Sequence, residues 1–479
     1  MPATTFTLET MRSRLAAIGQ EQVLAFADSL DAEKLDHLLG QLAALDLDAI
    51  PELVAAYVTT KPEPHLPADI QPAPYYPSNP TAEFRPWDAD HFRAVGEGLL
   101  RAGKVACFTV AGGQGTRLGF DGPKGCYPAG AVTGRPLFQF FAEAIAKTGE
   151  KYGKTPPWYI MTSPLNHDAT VAYLAKHDHF GLDPEAVMLF PQGVMPSFDM
   201  QTGKMLLAEP HALATNPDGH GGSLRALKVS GALADMQARS IEYLSYFQVD
   251  NPIVRVADPV FLGLHAAAPD SSGEMSSKML AKVAPEEKLG MFCVADGTLQ
   301  IIEYSDLPMD LQRERLADGR LRFLAGSPAI HLLSVAFLDK LNSDPKFALP
   351  YHRAEKKVAC VDPATGERIV PGVPNAVKLE RFVFDAMPLA ARSIVYEANR
   401  TDEFAPIKNA EGTDSPQTSR DIQTRRAAGW LEAAGVAVPR GGDGEPDCTI
   451  ELSPRTAVDS RDIDGATVGP IAPKAEVVV

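Results

Sequence analysis

Val105 to Val110 (VACFTV) is an unbroken, mostly apolar run of a length that suits a buried strand. Downstream, the pattern alternates between strand and helix. Pro136 to Tyr152 reads as a helix, with proline in its first turn and Phe138, Phe141 and Ile145 on one face. Trp158 to Thr162 reads as a strand, His167 to His179 as a helix and Val187 to Phe190 as a strand. Met205 to Ala208 suits a short hairpin strand turned by Thr202-Gly203. A helix is predicted from Ser223 to about Ser240, then a strand from Ile241 to Val249. Such alternation predicts an open, mostly parallel α/β sheet, whose ligands bind beyond the carboxyl ends of its strands.

The flanking regions differ. Residues 5–58 show helical spacing, as in Leu8, Met11, Leu15 and Ile18. Between Lys61 and Pro86 stand eight prolines, a density that favours an extended strap. Asp88 suits the N-cap of a helix through Leu100. From Met275 to Tyr304 short strand patterns, with a turn at Asp296-Gly297, predict antiparallel strands beside the sheet. The stretch from Pro439 predicts a linker, a minor β element at Thr449 to Leu452 and a loose terminus. The expected organisation is an N-terminal helical region and strap over 1–86, a central α/β domain over 87–405 and a C-terminal region over 406–479.

The first candidate chemistry follows the strand at Val110. Ala111-Gly112-Gly113-Gln114-Gly115-Thr116 is a turn of small residues, and the cations Arg117 and Lys124 come next. Glycines let backbone N–H groups approach an anion, and a run of them cradles phosphate. Arg117 and Lys124 then supply charge that the backbone lacks. The loop has neither the Gly-Lys-Ser/Thr ending of a P-loop nor, at Leu118, the third glycine of a dinucleotide fingerprint.

Other candidates are weaker singly. Asp218-Gly219-His220-Gly221-Gly222 is a second glycine loop, suited to close approach by a base or sugar or simply to a helix entry. Asp250 ends an apolar strand, where a carboxylate suits Mg²⁺ or caps a turn. Asp258 reads as an N-cap. Glu303 ends an expected strand and suits sugar hydroxyls. Lys378 and Lys408 are single lysines among apolar and turn residues. The first glycine loop, Gln192 and Asp250 all fall at expected strand ends, so they could share one cleft.

Composition narrows the function classes. A formal net charge of −16 over 479 residues opposes non-specific binding to nucleic acid or anionic membranes, so any anion site must be a local basic cluster. The five cysteines show no close pairs, which suggests a reduced, cytoplasmic setting without a disulfide framework or zinc site. The N-terminus has no apolar signal core, and no stretch suits a bilayer span.

Several stretches together resemble the eukaryotic-type UDP-sugar pyrophosphorylases, most closely the UDP-N-acetylhexosamine branch. They are AGGQGTRLG followed by PKG, FPQG, PDGHGG, QVDNPIVRVADP, EKLGMFCVADGTLQIIEYSD, YHRAEKK and the run from Lys378 to Gly412, in the family's order. The resemblance implies a Rossmann-like, GT-A-like nucleotidyltransferase with a mixed sheet. It implies the reaction of UTP and a sugar 1-phosphate to UDP-sugar and pyrophosphate, with Mg²⁺ as cofactor, while the acidic balance speaks against nucleic acid and membrane as partners. It implies that Gly112 and Gly113 contact the nucleotide, Arg117 and Lys124 hold the UTP phosphates, and Gln192 and Gly221 read the uracil edge. Asp250 would bind the metal and Glu303 the sugar. Lys378 and Lys408 would grip the sugar phosphate and the reacting α-phosphate. Two sugar-facing positions depart from the branch, which has Asn where His220 and Ser327 stand. N-acetylglucosamine 1-phosphate is the expected substrate; glucose 1-phosphate or a broader sugar range is the alternative. A non-catalytic UDP-sugar binder would be signalled by loss of Arg117, Lys124 or Asp250, and all three are present.

Overall fold

The computed structural model describes residues 7–62, 66–67, 69–344 and 347–479. Residues 5 and 6 of the expected helical region and 63–65 and 68 of the strap lie outside that set. The chain folds as two compact units, each assembled from segments distant in sequence.

The larger unit comprises Leu66–Pro191, Leu224–Phe347 and Phe384–Val479. Its centre is a mixed sheet. Four strands run parallel in the order Tyr243–Gln248, Val105–Val110, Trp158–Thr162 and Val187–Pro191. Every residue of Val105–Val110 and Trp158–Thr162 is buried, which accounts for their apolar runs. The sheet then turns antiparallel through His331–Ser334, Met275–Ala281, Ala325–Gly326 and Met291–Ala295. The strands expected beside the sheet are therefore part of it. Met291–Ala295 and Thr298–Ile302 form the expected hairpin, with Asp296 (φ 51°) and Gly297 (φ 75°) in left-handed conformation at its turn. Part of the proline strap is extended, as expected, and Ile70–Pro72 adds an edge strand.

Helices cover the sheet. Leu137–Tyr152 buries Phe138, Phe141 and Ile145 against Trp158 and Phe247. Asp88 caps Ala89–Arg101 by accepting the His91 N–H at 2.9 Å. That helix meets Pro259–Ala267 so closely that a Cβ on Gly96 would lie 1.8 Å from the Pro259 carbonyl oxygen. The helix expected over 223–240 is two helices, Ser223–Val229 and Ala232–Ala238, because Gly231 adopts φ +83° and breaks the ladder. The helix from His167 ends at Lys176, and Asp178, His179 and Phe180 turn left-handed.

The expected loose terminus is instead packed. Thr449–Glu451 pairs with Glu476–Val478. The Glu451 side chain is buried and accepts the Val132 and Thr133 N–H groups, each at 2.8 Å, and the Thr133 hydroxyl at 2.6 Å. Arg135 lies 3.3 Å away. The short β element thus carries an acceptor that satisfies a distant turn, and this anchors the tail.

The smaller unit joins the N-terminal helices to Gln192–Ser223 and Ala348–Val383. Leu8–Ala17 and Ala32–Ala43 are helices linked by short 3-10 turns rather than one continuous helical stretch. Met11, Leu15, Leu38 and Leu42 pack with Phe198, Leu207, Val377 and Leu379 of its strands.

Candidate active site

The parallel strands fix where a ligand pocket can form. The chain leaves Val105–Val110 towards Trp158–Thr162 on one side and later places Tyr243–Gln248 on the other. The sheet order reverses between Val105–Val110 and Tyr243–Gln248, and such a switch point opens a crevice at the strand carboxyl ends. Val110 and Gln248 are register partners. The glycine loop leaves from the first, and Asp250 lies two residues beyond the second.

The loop is closed on itself. Gly115 donates its N–H to Gly122 O at 2.9 Å, and Lys124 donates to Gly113 O at 3.1 Å. Beneath it lies Asn166, buried at the start of helix His167–Lys176. Its amide nitrogen donates to Ala111 O at 3.0 Å and to Gly113 O at 3.1 Å. Its oxygen accepts the Ser163 N–H at 2.8 Å and the Ser163 hydroxyl at 3.1 Å. The Ala111 and Gly113 carbonyls are thus turned inward. Among the described residues, the N–H groups of Gly112, Gly113 and Gln114 donate to no protein acceptor. Peptide planarity turns the Gly112 and Gln114 N–H groups away from Asn166, where they can donate to an anion. Arg117 lies exposed on the loop's short 3-10 turn, Thr116–Leu118.

Lys124 Nζ stands 3.7 Å from Asp250 Oδ2. The Asp250 carbonyl accepts the Ile407 N–H at 2.9 Å, and Asn251 Oδ1 accepts the Ala405 N–H at 3.0 Å. These bonds lace segment 405–407 to the Asp250 turn and set Lys408 next in line. Lys408 Nζ lies 3.7 Å from Asp414 and 5.4 Å from the centre of the Phe404 ring. Among the described residues no group of three His, Cys, Asp or Glu side chains forms a metal cage. A lone carboxylate beside a glycine loop with unpartnered N–H groups fits a hard cation that brings phosphate oxygens and water as its other ligands.

Glu303 and Ser327 come together around Gly290. Ser327 donates its N–H to Gly290 O at 2.8 Å, and a Cβ on Gly290 would lie 3.0 Å from Glu303 Oε1. Ser327 Oγ accepts the Ala329 N–H at 3.3 Å.

Gln192, His220, Gly221 and Lys378 belong to the smaller unit. Gln192 is buried directly after the strand ending at Pro191. The second glycine loop is glycine-rich because backbone approaches backbone: a Cβ on Gly221 would lie 2.7 Å from Phe382 N. The Gly221 N–H donates to Arg381 O at 2.8 Å, and its carbonyl accepts the Ser223 N–H. The His220 ring stacks on Phe382, and its Nδ1 accepts the Val383 N–H at 3.1 Å. Burial, with His352 nearby, lowers its pKa to about 4. Lys378 lies on strand Ala376–Glu380, where burial lowers its pKa.

Two residues received no role of their own from the sequence. Asp218 opens the second loop, is buried, and has no hydrogen-bond partner at Oδ1. Burial raises its pKa to about 6, against the opposing charge of Arg381. Asn166 carries the signal of an ordinary N-cap, yet its side chain caps nothing.

Sheet order, the glycine loop at the switch point and the adjoining carboxylate define an α/β architecture with a candidate anion site at its strand ends. The sequence profile of UTP–glucose-1-phosphate uridylyltransferase matches residues 83–413. UDP-N-acetylglucosamine diphosphorylase 2 of Arabidopsis thaliana is 34% identical over 451 residues, covering 91% of this chain and 87% of that one. UDP-N-acetylglucosamine pyrophosphorylase of Saccharomyces cerevisiae is 38% identical over 355 residues, covering 72% and 74%. The crystal structure of uridine diphosphate N-acetylglucosamine pyrophosphorylase from Trypanosoma brucei in complex with inhibitor superimposes with a TM-score of 0.78 at 24% identity, covering 97% of this chain and 96% of that one. The chain belongs to the UTP–glucose-1-phosphate uridylyltransferase family and is a nucleotidyltransferase. Among the described residues no helix is long and apolar enough to cross a membrane.

Proposed function

We propose that this protein forms UDP-N-acetylglucosamine and pyrophosphate from UTP and N-acetylglucosamine 1-phosphate. The observation that carries the phosphate chemistry is that the unpartnered Gly112 and Gln114 N–H groups turn away from Asn166 at the switch point, with Lys124 beside Asp250. The sugar is supported by the names of the Arabidopsis and yeast relatives.

An oxygen of the sugar phosphate attacks the α-phosphorus. One P–O bond forms, the α–β bridging bond breaks, and its electron pair leaves with pyrophosphate. The nucleophile is already anionic, so no general base is required. The barrier is the approach of two anions, and fixed positive charge lowers it. Arg117 and Lys124 hold the UTP phosphates and take up charge on the departing pyrophosphate. Lys408 steadies the α-phosphate and Lys378 the sugar phosphate. Gln192 and Gly221 serve the uracil edge, and Glu303 with Ser327 the sugar hydroxyls. A magnesium ion held by Asp250 would neutralise phosphate charge. We place the reaction in the cytoplasm, in keeping with five unpaired cysteines.

A second reading, glucose 1-phosphate, is favoured by one observation: His220 and Ser327 stand where the N-acetylhexosamine branch has Asn, and His220 Nδ1 is taken by Val383. The test is pyrophosphate release with UTP and Mg²⁺, comparing N-acetylglucosamine, glucose and galactose 1-phosphates. Preference for the N-acetylated sugar is expected. Preference for glucose would select the second reading, and no release with any of the three would end the uridylyltransferase proposal.

A further inference from the structure

Asn166 lies outside every motif that carries the reaction, yet it is the residue most directly bound to the phosphate loop. It stands at the N-cap position of helix His167–Lys176, where asparagine ordinarily accepts an N–H of the first helical turn. Here no such bond forms. The whole side chain is spent elsewhere. Both amide protons go to loop carbonyls, Ala111 at 3.0 Å and Gly113 at 3.1 Å. The oxygen is held by Ser163 through its N–H at 2.8 Å and its hydroxyl at 3.1 Å. This network fixes which end of the amide points where: two carbonyls require donors, and an N–H requires an acceptor. Asn166 is 1% exposed, so its bonds are shielded from competing water.

The consequence lies on the other side of the loop. A peptide plane is rigid, so turning a carbonyl inward turns the N–H of the next residue outward. Fixing Ala111 O aims the Gly112 N–H, and fixing Gly113 O aims the Gln114 N–H. Three glycines between Ala111 and Thr116 leave the chain free to adopt other conformations, including ones with a carbonyl facing the ligand. A carbonyl oxygen facing a triphosphate repels it.

We propose that Asn166 is a positioning residue that holds the phosphate loop in its anion-binding orientation, with its amide substituting for the pairing that a regular strand would give Ala111 and Gly113. The proposal rests on the phosphate-loop reading above. Asn166→Asp has nearly the same shape and keeps the oxygen that Ser163 holds, but it removes both donors and sets a carboxylate against two carbonyls. Asn166→Ala removes the network without adding charge.

The measurement is binding of UTP with Mg²⁺, by calorimetry, beside binding of uridine, by ligand-observed NMR, to the wild-type protein and both variants. Uridine has no phosphate and reports the base and ribose contacts alone. Weakening of UTP binding by about tenfold or more in both variants, with uridine affinity unchanged, is the expected result, as is a rise in KM for UTP exceeding the fall in kcat. Unchanged UTP affinity overturns the proposal. So does an equal loss for UTP and uridine, or failure of both variants to fold, since either makes Asn166 a general structural residue. If the wild-type protein binds UTP no better than uridine, the phosphate-loop reading itself fails, and the proposal with it.

Discussion

Lys124 Nζ lies 3.7 Å from Asp250 Oδ2, although 126 residues (250 − 124) separate them, and each side chain is only about one-sixth exposed. The pair spans the point where the parallel sheet reverses its order. At that distance the ammonium and carboxylate attract but are not locked, so both remain able to take a ligand. A phosphate can satisfy Lys124, and the cation it brings can satisfy Asp250.

Lys124→Ala should therefore lower kcat for UDP-sugar formation by about 10²–10³-fold, the scale found when one donor to a developing anion is removed. The melting temperature should change little, because the pair is partly hydrated and contributes modestly to folding. Asp250→Asn should raise the Mg²⁺ concentration needed for half-maximal activity. Near-normal turnover in Lys124→Ala would remove Lys124 from the mechanism.

Asp218 and His220 should make opposite contributions to acid stability. The Asp218 pKa is raised from 3.8 to about 6, so the folded protein binds a proton more readily than the unfolded chain. Its contribution is complete at low pH and lost as pH rises through about 6, a change of about 3 kcal/mol. The His220 pKa is lowered from 6.5 to about 4, so its contribution is complete above 6.5 and lost as pH falls towards 4. Relative to wild type, Asp218→Asn should gain stability as pH rises from 4 to 6, and His220→Gln should gain it as pH falls over that range. Chemical denaturation at several pH values checks both signs. Parallel curves for wild type and both variants would refute the assignment.

Gly96→Ala should destabilise the protein by about 3 kcal/mol or more, because the new methyl group meets a backbone carbonyl rather than a movable side chain. An exposed control, Gly98→Ala, meets nothing within 4 Å and should be neutral or slightly stabilising. Urea unfolding of the two variants gives the comparison.

Glu451→Ala should cost about 3 kcal/mol by leaving two N–H groups and a hydroxyl without their acceptor, while Arg135 keeps Glu143 as its remaining carboxylate. The same variant should make the tail from Pro439 more sensitive to protease. If stability and cleavage match the wild type, the tail is not anchored through Glu451.

Much of this molecule is legible from neighbouring residues. Trp158–Thr162 is a strand because five successive side chains are buried, and such a run shows itself in sequence. The loop from Ala111 to Lys124 is legible because phosphate chemistry demands glycines and cations at short spacing. Asn166 is not legible, since an asparagine before a helix looks like a cap, and its true partners lie 55 and 53 residues earlier. The second glycine loop is legible as glycine-rich, but not for its reason: Arg381 and Phe382 press on it from 160 residues downstream (381 − 221). Glu451 appears as one residue of a minor strand until Thr133 is found against it.

The sequence by itself determined the alternation of strands and helices, the phosphate-loop composition, the acidic surface charge and the absence of a long apolar span, because each depends on residues a few positions apart. Tertiary structure alone decided that Tyr243–Gln248 pairs with Val105–Val110, that the strands after Met275 join the same sheet, and that the loop carbonyls face Asn166. Those arrangements depend on which distant surfaces bury each other and which buried polar groups find partners. Covalent order leaves both open, and packing settles them.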